Sequence, residues 1–112
     1  MLPQHLRNAS GPCKRDQVFY ELWHSLVEEV TNHWGRADAL VNNAGDCILD
    51  SIEDMPLETL RFMLRVNVEG CFLGMKSFWE LLQESGNGSI VNVSSVAGLK
   101  GGARGAAYGA SK

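Results

Sequence analysis

Two short apolar segments separated by a long helical stretch most constrain what this chain can fold into. The first is Ala39-Leu40-Val41 and the second is residues 89–95, which are rich in β-branched side chains. Strands joined through a helix run parallel, because the crossover returns the chain to the same end of the sheet. The sequence therefore predicts an α/β domain, in the order helix, strand, helix, strand and the start of another helix.

Apolar residues recur at helical spacing on both sides of the first strand. Residues 16–34 predict one helix with Asp16 at its start or in its first turn. After a loop at 46–55, a second helical stretch has Pro56 in its first turn and is either one long helix or two joined near residues 67–70. The positions expected to line the apolar faces are Val18, Leu22, Leu26, Val27, Val30 and Trp34, then Leu57, Leu60, Met63, Leu64, Val68, Phe72, Met75, Phe78, Trp79 and Leu82.

Composition favours a globular domain and argues against several classes of function. The chain has 112 residues, of which 45% are hydrophobic and 21% charged, enough for one modest core. A net charge of −3 gives no reason to expect nucleic-acid binding. No window resembles a signal peptide or a membrane span. A cytoplasmic protein with no membrane partner is therefore expected.

The cysteines and histidines do not predict a metal site. Cys13, Cys47 and Cys71 are widely spaced and form no CxxC pair, which is typical of reduced structural thiols in a cytosolic protein. The three histidines share no ligand spacing with these cysteines. The expectation is therefore that the protein holds no metal.

Four polar residues lie where predicted strands meet predicted helices, namely Asn43, Asn67, Ser95 and Tyr108. Sites in open α/β sheets form outside the carboxyl ends of the strands, which favours a site here. Lys112 follows Tyr108 by four residues, so a helix would place the two side chains on one face. An ammonium beside a phenol favours its ionised form and so suggests acid/base chemistry. Taken singly, each residue also fits an ordinary role, as a surface pair, a cap or a buried amide.

Together these residues resemble the short-chain dehydrogenase/reductase family. The matching segments, in order, are Asn42-Asn43-Ala44-Gly45, Val66-Asn67-Val68, residues 90–95 and Tyr108-Gly109-Ala110-Ser111-Lys112. The successive steps are 24 residues from Asn43 to Asn67, 28 from Asn67 to Ser95 and 13 from Ser95 to Tyr108. The resemblance runs from about residue 16 to residue 112. It implies a Rossmann-type, doubly wound, three-layer α/β/α domain, of which residues 13–112 would be the central part after an unstructured leader at 1–12.

The resemblance implies a role for each polar residue. Tyr108 would be the acid/base that exchanges the hydroxyl proton, and Lys112 would favour its ionised form and hydrogen-bond the nicotinamide ribose. Ser95, rather than Ser94, would hold the substrate oxygen, because the step to Tyr108 selects it. Asn67 would hold a water of a proton relay and kink the long helix.

The implied activity is that of an oxidoreductase which interconverts a small-molecule alcohol and a ketone by hydride transfer. The cofactor would be NAD or NADP, with Asn43, Ala44 and Gly45 supporting the strand and lying against its adenosine side. Tyr108 and Lys112 would also belong to the cofactor-binding residues. Intact relatives would be homo-oligomers. The identity of the substrate and the choice between NAD and NADP stay open.

The chain also departs from the family pattern, and this leaves alternatives. The glycine-rich turn Thr-Gly-x-x-x-Gly-x-Gly is absent, so we expect an incomplete chain that lacks this motif and the C-terminal third and is inactive alone. The alternative is a non-catalytic truncated product, such as a splice form or a pseudogene product, acting at most as an interaction partner. A third hypothesis is a phosphate-binding protein using residues 98–105, although that loop lacks GxxxxGK[ST].

Overall fold

The computed structural model describes residues 14–112, with side chains from residue 17 onward. The leader expected at 1–12, together with Cys13, lies outside the described residues. The helices and strands are α1 (Lys14–Trp34), β1 (Ala39–Asn42), α2 (Leu57–Leu64), α3 (Gly70–Glu84), β2 (Ser89–Asn92) and α4 (Ala106–Ser111). A π-helical turn, Arg65–Glu69, joins α2 to α3, and a 3₁₀ turn, Val96–Gly98, follows β2.

The two strands pair in parallel, which confirms the α/β prediction. Leu40 pairs with Ile90 and Asn42 with Asn92, and the amide of Val93 extends the ladder by donating to the Asn42 carbonyl at 2.9 Å. Strand β2 is shorter than predicted. It ends at Asn92 because the chain turns at Ser95, whose side chain caps the 3₁₀ turn.

The prediction that the first strand is buried is wrong for one of its faces. Leu40 and Ile90 pack against the core cluster formed by Phe78, Leu81 and Leu82. Val41 and Val91, however, are 59% and 49% exposed. Successive side chains of a strand point to opposite faces, so α1 and α3 cover only the face that carries Leu40 and Ile90.

Helix α1 is present as predicted, but four of the six residues expected on its apolar face are exposed. Val27 and Val30 pack on the core cluster, together with Trp23, which the sequence analysis did not place there. These three positions form a stripe with helical spacing. Val18, Leu22 and Leu26 lie on a neighbouring stripe that is open to solvent. Trp34 continues the core-facing stripe but is 71% exposed at the end of the helix.

The long second helix is continuous, and it contains a π turn. This turn explains why the apolar face predicted for the part of the helix after it is wrong. A π turn accommodates one more residue than an α turn, so it rotates the apolar stripe that follows it. Phe72 and Trp79, which follow the π turn and which a constant period places in the core, are each about half exposed, as is Val68 within the turn. Leu73 and Leu81, which a constant period does not place there, are buried. Leu57, which is also about half exposed, precedes the turn, so the turn does not account for it. Pro56 lies one residue before α2 rather than inside its first turn.

A short turn held by an ion pair leads from α1 into β1. Gly35 ends α1 as predicted and takes φ +68°, a conformation that glycine adopts without steric cost. The guanidinium of Arg36 donates to the Asp38 carboxylate at 2.9 Å, and this hydrogen bond lowers the pKa of Asp38. The Asp38 carbonyl accepts from the Ser89 amide at 2.9 Å, which ties the turn to β2.

Gly74 allows α3 to approach both β1 and α1 closely. A Cβ atom there would lie 2.6 Å from Oδ1 of Asn42 and 2.9 Å from Cη2 of Trp23. Both neighbours are confined, since Asn42 is buried and Trp23 packs on the core cluster. Any larger residue at position 74 must therefore separate the helix from the sheet.

We expect Gly74→Ala to lower the free energy of unfolding by about 1–3 kcal/mol, because it overpacks this contact. Gly70→Ala is the matched control, since a Cβ atom there would meet only the Arg65 carbonyl at 3.7 Å. That control should be neutral or should gain about 0.5–1 kcal/mol from the better helix former. Urea unfolding followed by tryptophan fluorescence measures both. Equal stabilities for the two variants would contradict the close-packing interpretation.

Candidate active site

Two close contacts at glycines dock α4 onto the 3₁₀ turn that follows β2. A Cβ atom on Gly109 would lie 2.9 Å from the Ala97 carbonyl oxygen, and one on Gly98 would lie 2.7 Å from the Lys112 carbonyl carbon. The helix that carries Tyr108 therefore lies directly against the turn that begins at Ser95. Both elements lie beyond the carboxyl end of β2, where the sequence analysis predicted a site.

Asn67 is a buried amide that joins the loop after β1 to α4. Its Nδ2 donates to the Asp46 carbonyl at 2.9 Å and to the Ser111 Oγ at 2.7 Å, while its Oδ1 accepts from the Asp46 amide at 2.8 Å. Ser111 in turn donates to the Tyr108 carbonyl at 2.8 Å. Asn67 is thus a buried amide that pairs with the backbone, as in its ordinary interpretation, and it also binds the Ser111 side chain. Asn67 lies in the π turn that joins α2 to α3, and the kink expected there stays a prediction.

Lys112 lies one residue beyond α4, with its ammonium directed at the carboxyl edge of the sheet. Its Nζ donates to the Val93 carbonyl at 3.5 Å. A Cβ atom on Gly45 would lie 2.8 Å from this Nζ and 3.2 Å from Oδ1 of Asn67. The missing side chain at Gly45 therefore leaves the space into which the lysine extends. Direct assistance of Tyr108 by Lys112 stays a prediction.

The two adjacent serines after β2 have different hydrogen bonds. The hydroxyl of Ser94 donates to the Lys112 carbonyl at 2.7 Å, so its proton is engaged. The Oγ of Ser95 instead accepts from the Ala97 amide at 3.2 Å. Because that contact uses a lone pair, the Ser95 proton remains available to another acceptor. Ser95 is thus both the cap and the serine with a free donor.

The remaining predicted positions lie at the same edge of the sheet. Asn43, Ala44 and Gly45 follow β1 and are exposed, and Tyr108 is half-buried on α4. The structure therefore gathers the loop after β1, Ser95 and α4 around one region. What these residues bind is taken up below.

Sequence reasoning missed two residues of this region that are buried. Asn42 donates to Oδ1 of its cross-strand partner Asn92 at 2.8 Å and to the Cys71 carbonyl at 3.4 Å. Ser111 lies between Asn67 and Tyr108, as described above. Alternation along β1 places Asn42 on the core face with Leu40, and that signal was available in the sequence.

Two kinds of feature are absent from the part of the chain that the structure describes, namely a cluster of metal-ligand side chains and a membrane-spanning helix. No group of three or more His, Cys, Asp and Glu side chains within this part of the chain lies close enough together to hold an ion. None of the helices in the described part combines the length and the apolar character that crossing a bilayer needs.

Comparison with known sequences shows the family. Residues 12–112 match the short chain dehydrogenase family, and the chain belongs to it. It is 40% identical over 97 residues to trans-4-hydroxycyclohexanecarboxylate dehydrogenase of Sinomonas cyclohexanicum, which covers 87% of this chain and 37% of that protein. It is also 40% identical over 90 residues to cyclopentanol dehydrogenase of Comamonas testosteroni, covering 80% and 36%. The chain therefore spans little more than a third of these relatives.

Solved structures agree with this assignment. NAD⁺-bound xylitol dehydrogenase matches with a TM-score of 0.77 and 35% identity, over 83% of this chain and 36% of that protein. ElxO with NADP bound matches with a TM-score of 0.76 and 30% identity, over 82% and 38%. The two-stranded sheet and its helices are thus part of a Rossmann-type domain, as the sequence predicted.

Asn67→Asp tests whether the amide joins the two segments. The carboxylate keeps the shape but loses both N–H donors, so the Asp46 carbonyl and Ser111 lose a partner. We expect a loss of about 1–3 kcal/mol in the free energy of unfolding. Amide exchange at Asp46 should become faster. Asn32→Asp, an exposed position on α1, is the matched control and should change neither quantity.

Proposed function

We propose that this chain supplies the catalytic part of an NAD(P)-dependent oxidoreductase that interconverts an alcohol and a ketone by hydride transfer. The observation that carries this proposal is the docking of α4 onto the turn after Ser95, which brings Ser95, Tyr108 and Lys112 to one edge of the sheet. Similarity to two relatives named as dehydrogenases of hydroxylated compounds supports the reaction class.

Ser95 is proposed to hold the substrate oxygen. Its lone pair is used by the Ala97 amide, which fixes the hydroxyl and leaves the proton to point at an acceptor. A carbonyl oxygen gains negative charge as it is reduced, and a fixed donor stabilises that charge. Ser94 cannot do the same without releasing the Lys112 carbonyl.

Tyr108 is proposed as the acid/base that gives a proton to the substrate oxygen in reduction and takes it back in oxidation. Tyr108 is half-buried on α4, which docks on the turn that begins at Ser95, so the two hydroxyl groups are proposed to act on the same substrate atom. The ammonium of Lys112 lies at the same edge, where its Nζ donates to the Val93 carbonyl. Proton transfer and oxygen binding are thus divided between two hydroxyl groups.

Asn67 is proposed to serve the proton relay while holding α4 in place. Both N–H bonds of its amide are engaged, with Asp46 and Ser111. A relay water held by this residue must therefore donate to one of its oxygens. The backbone carbonyl of Asn67, in the π turn, also accepts a weak hydrogen bond from the Cys71 thiol at 3.3 Å.

The residues at this edge fit a nicotinamide cofactor. Asn43, Ala44 and Gly45 are exposed and include two of the smallest residues, so a flat ligand can approach their backbone. The Lys112 ammonium has three N–H bonds and uses one on Val93, which leaves donors for ribose hydroxyls. When bound, the cofactor supplies or accepts the hydride. NAD and NADP are both found in the matching solved structures.

We expect the 112-residue chain alone to show no dehydrogenase activity and no tight dinucleotide binding. It contains no glycine-rich turn for a pyrophosphate, and one face of its sheet is open. The tests are NADH and NADPH oxidation with cyclopentanone, and calorimetry with each cofactor. Turnover that disappears with Tyr108→Phe but survives Tyr20→Phe would contradict this expectation.

A hybrid enzyme tests the proposed chemistry directly. The 90 aligned residues of cyclopentanol dehydrogenase from Comamonas testosteroni would be replaced by those of this chain. We expect the hybrid to oxidise cyclopentanol, and Tyr108→Phe to lower kcat/KM by about 10²–10⁴-fold because the proton donor is lost. Ser95→Ala should cost about 10²–10³-fold.

Tyr20→Phe and Ser25→Ala, both on α1 and away from the site, are the matched controls in the hybrid, and both should retain most of the activity. Circular dichroism and thermal unfolding establish that each variant is folded. A folded hybrid without turnover would favour the alternative of a non-catalytic product. A folded hybrid whose Tyr108→Phe variant is fully active would exclude the role proposed for Tyr108.

A further inference from the structure

Arg104 and Asp50 form a two-point contact between the loop after β1 and the glycine-rich loop before α4. The amide of Asp50 donates to the Arg104 carbonyl at 2.9 Å. The Arg104 guanidinium donates back to Oδ1 of Asp50 at 3.2 Å, and this carboxylate oxygen also accepts from the Ser51 amide at 2.9 Å. The Arg104 side chain is 66% exposed and that of Asp50 is 35% exposed, so the ion pair alone would be weak. Together with the backbone hydrogen bond, the ion pair fixes both the position and the orientation of the two loops relative to each other.

The backbone of Arg104 is strained, which indicates that its side chain is needed. Its φ is +59°, a region that disfavours residues with a Cβ atom, and it is the one such non-glycine residue in the described chain. Gly101, Gly102 and Gly105 surround it and do not take positive φ. Glycine would adopt this conformation more easily at 104, yet the position holds an arginine that reaches Asp50.

This contact lies between two parts of the site. On one side, Asp50 is four residues from Asp46, whose backbone is held by Asn67. On the other side, Arg104 precedes Gly105, which caps α4, and lies four residues before Tyr108. The loop after β1 is therefore held near the site by Asn67 at one point and by Arg104 at another.

We propose that Arg104 is a positioning residue, which together with Asp50 fixes the entry into α4 and so the placement of Tyr108. This inference rests on the proposed function only in giving Tyr108 a catalytic role. The contact itself can be tested without cofactor or substrate. Failure of the contact and failure of the chemistry are thus separate results.

Trypsin cleavage after Lys100 reports on the loop in the full 112-residue chain, because this bond is present in every variant. We expect Asp50→Ala and Arg104→Gly each to speed this cleavage several-fold. Arg104→Gly relieves the backbone strain but also makes the loop more flexible, so Asp50→Ala, which leaves residue 104 unchanged, is the decisive variant. Arg104→Lys and the charge swap Asp50→Arg with Arg104→Asp should restore protection. Glu53→Ala, in the same loop, is the control and should have no effect.

Tyrosine resonances show whether the effect reaches the site. The chain has two tyrosines, so ¹³C-labelling of the rings gives two signals, and Tyr108→Phe assigns them. We expect Asp50→Ala and Arg104→Gly to shift or broaden the Tyr108 signal. The Tyr20 signal should stay unchanged, because that ring lies on α1 beside Lys76, with its centroid 5.9 Å from Nζ. A merely destabilised chain would move both signals.

Four results would overturn the proposal. The first is slower or unchanged cleavage of Asp50→Ala, and the second is an unchanged Tyr108 signal in both variants. The third is a change of both tyrosine signals together. The fourth is a wild-type chain cleaved after Lys100 as fast as a synthetic peptide of residues 96–106. Faster cleavage, a change of the Tyr108 signal alone and rescue by the conservative variants would support it.

Discussion

The buried amide of Asn67 is the interaction on which the arrangement of this site depends. It lies 5% exposed and joins residues that are far apart in sequence, with Asp46 on one side and Ser111 on the other. Leaving a buried polar group without a partner is costly, so these hydrogen bonds favour one relative placement of the loop and α4. The π turn is what brings Asn67 to that position in an otherwise α-helical segment.

Small residues provide the other close contacts that shape this site. Gly45 leaves room for Lys112, Gly98 and Gly109 let α4 meet the 3₁₀ turn, and Gly74 admits Asn42 and Trp23. Each of these contacts brings a backbone or a polar atom nearer than a Cβ atom would allow. The carboxyl edge of the sheet is therefore built by close approach rather than by a large apolar core. The apolar cluster at Phe78 and Leu82 lies on the helix-covered face of the sheet.

The sequence was sufficient to predict the parts that depend on local pattern. The parallel pairing of the strands followed from a long helix between them, and the edge position of Ser95 and Tyr108 followed from where strand and loop meet. The sequence did not predict that one side of the sheet is exposed. Val41 and Val91 are compatible with a strand that has one covered face and with a strand that has two. The apolar stripe beyond Asn67 was also misplaced, since periodicity cannot show where a π turn shifts the register.

The contact of Arg104 with Asp50 could not be predicted from the sequence, for a different reason. Nothing in a run of glycines tells which residue takes positive φ, and the two partners are 54 positions apart. The motif residues were found because their spacing is shared with a family, whereas this pair is read only from coordinates. Sequence motifs thus identified the chemical groups, and the structure was needed to show what holds them.

Helix α4 shows why the contacts that hold the site are linked to its proposed chemistry. It has six residues, too few to be stable by itself, because helix nucleation is unfavourable and propagation is short. Its stability must come from contacts at its ends, including Ser111 with Asn67 and the Lys112 carbonyl with Ser94. Both contacts lie within four residues of Tyr108, on its C-terminal side. A change that loosens any of them therefore affects the position of the phenol before it affects the core.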